Sequence, residues 1–318
     1  MSVRVLRRAA TGCAPGKVIL LGEHAVVYGG LAIAGSIDRQ LIVRVRWRAP
    51  GEMAQQPQRL RDALRRAGAW LHVDTSRLVV TVDGDLPAAV GLGSSAALDV
   101  ALLRAVAALA RRRPSSADIC AAAFALERLF HGTPSGVDNT TATYGGLIAF
   151  RNGAFRRIAR PVPLRVVVAL GGSPRATETA VAAVRARRKR NPTQIDAVIA
   201  AIDALACQAE PALESGRDDL VGRLMRCNHE LLRTLGVSTP ELDAMVELGH
   251  RRGALGAKLT GGGGGGAVVC LPADDGSALV EAFQQHGWRA FLTHIEVSRE
   301  DSHAPAERPA LADAPAQQ

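Results

Sequence analysis

Three glycine-rich stretches could hold a phosphate group, and each fits that role differently. The first, Gly12-Cys13-Ala14-Pro15-Gly16-Lys17-Val18, has the outline of a Walker loop but not its chemistry. Three residues, not four, separate its glycines, and Val18 stands where a serine or threonine must bind magnesium. The second, Gly91-Leu92-Gly93-Ser94-Ser95-Ala96, matches the loose dinucleotide pattern G-x-G-x-x-A, yet Asp85-Leu86-Pro87 separates it from the strand that should lead into it. Gly91 and Gly93 allow close backbone approach, and Ser94 and Ser95 sit where a helix begins, so unpaired amides and the positive helix end would face an anion there. Ser95 could add a hydroxyl to a metal, or both serines could simply cap the helix. The third stretch, Gly261–Gly266, reads either as a flexible linker or as an anion nest held by Leu259-Thr260 and the strand-like Ala267–Leu271.

Three further side chains stand out. Glu127 lies in Ala121–Phe130, an apolar segment apart from Arg128. It either pairs with Arg128 at the surface or faces a cation. Asp138 lies in His131-Gly132-Thr133-Pro134-Ser135-Gly136-Val137-Asp138-Asn139, a Pro/Gly-rich loop in which Asp and Asn ordinarily make turns. His24, in Gly22-Glu23-His24-Ala25-Val26-Val27-Tyr28-Gly29, is by default a structural histidine.

The elements that must position these residues are partly legible. Ile37–Trp47 alternates, with Leu41, Val43, Val45 and Trp47 on one face, as a half-buried strand does. Gly12–Leu21, Leu78–Val82, Tyr144–Phe150, Leu164–Leu170, Ala267–Leu271 and Ala290–Ser298 read as strands. Ser94–Arg111 is apolar nearly all round, interrupted only by Asp99 and Arg104, and predicts a buried helix that Pro114 ends. A second helix runs from Ser116, capped by Ser115 or Ser116, to His131, where Gly132 closes it. Helices are expected at Thr177–Arg190, Pro192–Ala209, Gly216–Leu235 and Pro240–Arg252. Strands and helices on both sides of about residue 160 predict two α+β halves, 1–160 and 161–300. Residues 301–318, rich in Ala and Pro without periodicity, are expected to be a disordered tail.

Composition narrows the function classes. The 318 residues are 47% hydrophobic and 22% charged, an ordinary globular balance that excludes a disordered chain or a rod. No apolar run reaches the roughly 18 residues of a membrane span, and the basic Met1–Ala10 lacks the apolar core of a secretory signal. Five scattered cysteines without a C-x-x-C pair fit a reducing cytoplasm rather than a disulfide or zinc framework. The net charge of +9 is almost all arginine; only Lys17, Lys189 and Lys258 are lysines. The runs Arg111–Arg113 and Arg187–Arg190 fall at expected helix ends, where cations complement the helix dipole by about 0.3–1 kcal/mol. With 3% aromatics there is little to stack bases on, so nucleic acid is not an expected partner.

In combination these stretches resemble a known family. Ala14-Pro15-Gly16-Lys17 through Gly22-Glu23-His24-Ala25-Val26-Val27-Tyr28-Gly29 resembles the opening of the mevalonate kinases. Gly91–Ala97 is similar to the phosphate loop of the GHMP kinase superfamily, His131–Asn139 to the segment carrying its catalytic aspartate, and Lys258–Gly266 to its third, glycine-rich motif, here Thr260, Gly261, Gly262 and Gly263. The resemblance spans about residues 12 to 298. It departs at Ala89, where the family usually has glycine, at Val90, which is bulkier than usual, and in the unbroken six-glycine run.

The resemblance implies an α+β fold of two domains, the first like domain 2 of ribosomal protein S5 and the second ferredoxin-like. It implies ATP-dependent phosphorylation of the C5 hydroxyl of (R)-mevalonate in isoprenoid synthesis, with Mg²⁺ as cofactor, in the cytoplasm and away from membranes. By family match Asp138 accepts the hydroxyl proton and Lys17 pairs with it. Lys17 and Ala89, Val90, Gly91, Leu92, Gly93, Ser94 and Ser95 surround ATP, Ser95 and Glu127 hold Mg²⁺, and Glu23, His24, Asp138, Arg175 and Thr177 form the substrate pocket. The alternatives are another kinase of the superfamily acting on phosphomevalonate or a sugar, and a non-catalytic ATP sensor, which would be expected to lack at least one of Lys17, Ser95, Glu127 and Asp138. Assembly as a homodimer is left open.

Overall fold

The structure, a computed structural model, describes residues 8–53, 55–131, 134–172 and 177–296. Two antiparallel sheets form its frame. The first contains β1 (Ala9–Leu21), β2 (Ala32–Trp47), β3 (Leu78–Gly84), β4 (Leu147–Arg151) and β5 (Ala154–Arg157), in the order β1-β2-β4-β5 with β3 also paired to β2. The long β2 shares one side between two partners: Ala32–Gly35 pairs with β4 and Leu41–Trp47 with β3, while β1 runs along its other side. Ala32 to Ile37 is buried without a break, whereas the outer half exposes Arg44 between the buried Val43 and Val45. Alternation is therefore visible in the sequence only from Ile37 on, and the strand is longer than that signal.

Four helices cover this sheet: α1 (Gln58–Leu71), α2 (Ser94–Leu109), α3 (Ser116–His131) and α4 (Val137–Tyr144). The apolar α2 lies at the centre, packed against β1, β2, α1, α3 and α4. Ser115 caps α3 by accepting from the Asp118 amide at 3.1 Å, and Asp118 returns the bond to the Ser115 amide at 3.0 Å.

The second sheet has the order β7-β8-β6-β9, from β6 (Leu164–Leu170), β7 (Ala254–Thr260), β8 (Ala267–Pro272) and β9 (Arg289–Ile295). It is accompanied by α5 (Thr177–Arg190), α6 (Pro192–Glu214), α7 (Asp218–Thr234), α8 (Pro240–Arg251) and α9 (Ser277–Gln285). One apolar core joins the two sheets: Val18 and Leu20 of β1 and the buried face of α2 belong to the same cluster as Val166, Val168, Val269 and Ile295. Buried Arg160 spans the seam with two 3.0 Å bonds to the Asp218 carboxylate. The fold is α+β, as expected.

Several expected elements are corrected. Asp138 is not in a loop; it stands in the first turn of α4, and the segment expected as a strand from Tyr144 to Phe150 starts only at Leu147. Thr140, Thr141 and Thr143 favour strand, but burial and the bonds from Thr140 and Thr141 hydroxyls to the Gly136 and Val137 carbonyls, both 2.7 Å, hold them helical. The first buried helix stops at Leu109, before Arg111; α6 runs on to Glu214; α7 starts at Asp218; and β9 ends at Ile295. Helices α1 and α9 and strands β5 and β7 were not among the expected elements. The arginine runs do lie at helix ends, Arg187, Arg188 and Arg190 in the last turn of α5 and Arg111 just past α2. Residues 301–318 lie outside the described residues. Among the described residues, no helix is long and apolar enough to cross a membrane.

Candidate active site

Lys17 reaches the site because β1 is irregular beside it. The β1–β2 register shifts between Pro15 and Lys17, the kind of bulge that re-aims a side chain. The Lys17 amide then donates to the Leu92 carbonyl at 2.9 Å, and its Nζ donates to the Gly91 carbonyl at 3.1 Å. Its ammonium, 3% exposed, lies 3.2 Å from Oδ1 of Asp138, which is 34% exposed. Gly136, in the left-handed conformation at φ 93°, starts α4 and presents Asp138 in its first turn. Asn139, the next residue, is buried and anchors α4 to α3 through a 3.2 Å bond to the Cys120 carbonyl.

The segment from Ala89 to Gly93 leads into α2, with Gly93 as a left-handed N-cap at φ 71°. The first amides of any helix lack an intrahelical acceptor, so those of Ser94 to Ala96 form the positive end that a phosphate would meet. Ala89 also takes a left-handed φ of 59°, a conformation natural to glycine and strained for alanine. The third glycine-rich stretch supports this loop from behind. A Cβ on Gly261 would stand 3.0 Å from the Gly91 carbonyl oxygen, and one on Gly266 would stand 2.9 Å from that of Val90. The six-glycine run is thus no linker. It is a close backbone contact between two loops.

Ser95, on the first turn of α2, donates to Oε1 of buried Glu127 on α3 at 2.7 Å. Glu127 therefore faces inward, while Arg128 is exposed. Arg59 of α1 donates to the Ser95 hydroxyl from the other side and lies over the Phe130 ring at 5.0 Å. Asp99, one turn further along α2, is fully buried. Burial pushes its carboxyl up to about 8, with the Glu127 charge adding to the effect and Arg59 opposing it.

Glu23 and His24 follow β1 at a 3₁₀ turn, Ala25–Tyr28. Both are buried. Glu23 forms an ion pair with fully buried Lys258 of β7 and accepts from Nδ2 of Asn228 at 3.2 Å. Burial pushes the carboxyl up and the ammonium down, each opposed by the other's charge. His24, also pushed down by burial, donates through Nε2 to the Gly262 carbonyl at 3.0 Å. Thr260 ties the same two strands by accepting from the Ile19 amide at 2.8 Å and donating to the Ile19 carbonyl at 3.1 Å.

The structure thus brings Lys17, Asp138 and the loop at Gly91 together, sets Ser95 against Glu127, and joins Glu23 and His24 to the third motif. Arg175 lies outside the described residues, and Thr177 opens α5 with its side chain likewise outside them. Sequence reading passed over Arg59 and gave Lys258 no role beyond opening the third motif. Lys258 carried a signal: it is one of three lysines and sits just before the glycine run. Arg59 carried none, being one arginine among several on an amphipathic helix.

The model of the GHMP kinases N terminal domain matches residues 58–146, and that of the GHMP kinases C terminal matches residues 209–294. A mevalonate kinase of Thermococcus onnurineus is 32% identical over 89% of this chain and 95% of its own length. A mevalonate kinase of Aeropyrum pernix is 34% identical over 84% of this chain and 89% of its own. Among solved structures, that of L. major mevalonate kinase in complex with R-mevalonate is 33% identical, with a TM-score of 0.82 over 91% of this chain and 97% of that one.

Proposed function

The chain belongs to the mevalonate kinase family of the GHMP kinases, and from that premise we propose that it transfers the γ-phosphoryl group of ATP to the C5 hydroxyl of (R)-mevalonate, giving 5-phosphomevalonate for isoprenoid synthesis. The observation that carries this reading is the 3.2 Å contact between Lys17 and Asp138 beside the positive end of α2. Phosphoryl transfer asks for positioning and charge stabilisation more than for covalent chemistry.

Asp138 takes the proton of the C5 hydroxyl on its carboxylate. Lys17 holds that carboxylate in place and stabilises the alkoxide as its charge develops. The segment from Ala89 to Ser95 and the amides of Ser94 to Ala96 cradle the phosphates, and the contact with Gly261 to Gly266 keeps that cradle closed from behind. Glu23, held by Lys258, fixes the turn that carries His24 at the edge of the substrate pocket.

A kinase using ATP requires a divalent cation, and we assign Mg²⁺. The donor set fits: the Ser95 hydroxyl and the Glu127 carboxylate, 2.7 Å apart, are the hard oxygen ligands that Mg²⁺ prefers. Bound there with ATP, the ion would neutralise charge on the phosphates. Five free cysteines agree with a cytoplasmic setting. Assembly as a homodimer is read by sedimentation velocity.

A coupled ADP-release assay with mevalonate, phosphomevalonate, homoserine and galactose tests the reading. Turnover should be fastest with (R)-mevalonate. Faster turnover of phosphomevalonate or galactose would overturn the substrate while leaving the kinase chemistry standing.

A further inference from the structure

Asp99 has no part in the mechanism above, yet it is the most anomalous side chain near it. It is fully buried in the centre of α2, and neither carboxylate oxygen has a hydrogen-bond partner among the described residues. Leaving a buried acid unpaired costs the whole desolvation of the group. A methyl-bearing residue such as Val100 or Ala101 would fill the same helix at no such cost.

The position of Asp99 suggests what offsets that cost. It follows Ser95 by four residues, so the two side chains lie on one face of α2, a single turn apart. Helical side chains lean toward the N-terminus, which brings the Asp99 carboxyl toward Ser95. Ser95 in turn donates to Glu127. One hydroxyl and two carboxylates, from two helices, therefore converge behind the start of α2. Arg59 stands at the outer side of the group with its guanidinium on Ser95. Two carboxylates facing one low-dielectric space repel, and the positive charge of a cation is what relieves the repulsion.

We propose that Asp99 is the inner carboxylate of the divalent-cation site, holding the cation's water shell from inside the helix layer while Ser95 and Glu127 hold the cation itself. Mg²⁺ retains several of its waters when protein-bound, so a carboxylate one turn deeper acts by accepting from those waters. Outer partners of this kind typically contribute 10- to 100-fold to metal affinity. The proposal rests on the assignment of Ser95 and Glu127 to the cation, and its test separates the two.

The test is a Mn²⁺ titration of the full chain followed by electron paramagnetic resonance, with and without a non-hydrolysable ATP analogue. Asp99→Asn, Asp99→Ser and Glu127→Gln are compared with the unsubstituted chain, and thermal midpoints are measured on the same samples. Asp99→Asn should weaken Mn²⁺ binding 10- to 100-fold while its midpoint stays level or rises, because an unpaired buried acid has been removed. Asp99→Ser, which keeps a small polar group without the charge, should weaken binding similarly and carries the measurement if Asp99→Asn folds poorly. Normal Mn²⁺ affinity in both Asp99 variants, with weak binding in Glu127→Gln, would overturn the role of Asp99 and leave the cation site intact. Normal affinity in Glu127→Gln would instead overturn the cation site itself, and the role of Asp99 with it.

Discussion

Asp138→Asn and Lys17→Met should have similar effects on rate and different effects on stability. The asymmetry follows from burial: the ammonium of Lys17 is 3% exposed, whereas Asp138 is 34% exposed. At 3.2 Å two unit charges attract by roughly 5 kcal/mol at an effective dielectric of about 20. Desolvation of Lys17 and the water still reaching Asp138 reduce the net value to about 1 kcal/mol. Asp138→Asn leaves a buried ammonium facing a neutral amide oxygen and the Gly91 carbonyl at 3.1 Å without an opposite charge, so stability should fall by about 1–3 kcal/mol. Lys17→Met removes the buried charge, and the Asp138 it leaves behind is still wetted, so stability should stay within about 1 kcal/mol of the parent or rise. Catalysis responds differently. A positioned base contributes about 10²- to 10⁴-fold, so kcat in Asp138→Asn should drop by that range with ATP affinity nearly intact. Lys17→Met should also lose kcat, and the double variant should lose less than the product of the single losses, because the pair acts as a unit. The assays are coupled ADP release at saturating mevalonate and urea unfolding of the same preparations. Near-normal kcat in Asp138→Asn would refute the catalytic assignment; strictly multiplicative losses would refute the pairing.

Five further outcomes are expected. Gly262, alone in the run from Gly261 to Gly266, has no positive φ, so Gly262→Ala should be neutral or stabilising by about 0.4–1 kcal/mol. A Cβ on Gly263 would stand 2.2 Å from the Val237 carbonyl oxygen, so Gly263→Ala should lower the thermal midpoint clearly; equal midpoints would contradict the contact. Ala89→Gly should stabilise by up to about 1 kcal/mol by relieving the left-handed φ, read from denaturation midpoints. Burial, then the Lys258 charge, pushes the His229 imidazole down to about 4, so the folded chain keeps it neutral while the unfolded chain protonates it near the ordinary value of 6.5. The stability it contributes is complete above that value and is lost as pH falls toward 4, by up to roughly 3 kcal/mol, a loss that His229→Gln should abolish in urea titrations across this window. Cys270, buried and pushed up to about 12, should resist a thiol reagent until the chain unfolds, whereas the exposed Cys13, Cys207 and Cys227 react in the native state; native labelling of Cys270 would contradict its burial.

How much of this was legible in the sequence depended on whether a residue's role is local. The buried helix begins at Ser94 as expected because apolar periodicity is a local signal, although Gly93 and not a serine is its N-cap and it ends at Leu109. The β7 strand was missed because Gly256 and Lys258 interrupt its apolar run, and both are explained only by what lies across from them. Gly256 has the backbone of Gly222 against it, and Lys258 has Glu23, 235 residues away in sequence. The short α4 was missed because three threonines outvoted it locally, while the bonds that keep it helical and its burial against α2 and α3 are properties of the folded chain. Glu23 shows the limit most clearly. The family likeness puts Glu23 in the substrate pocket, and the structure adds that its fully buried ion pair with Lys258 ties the first sheet to the glycine-rich motif. That pairing needs the two halves to be docked, and no window of neighbouring residues contains it. The same reasoning applies to Asp99, which periodicity reads as a flaw in an apolar helix. Only the fold shows that Asp99 is buried without a hydrogen-bond partner one turn behind the Ser95 that bonds Glu127 of a second helix, and the role proposed for it arises from that placement.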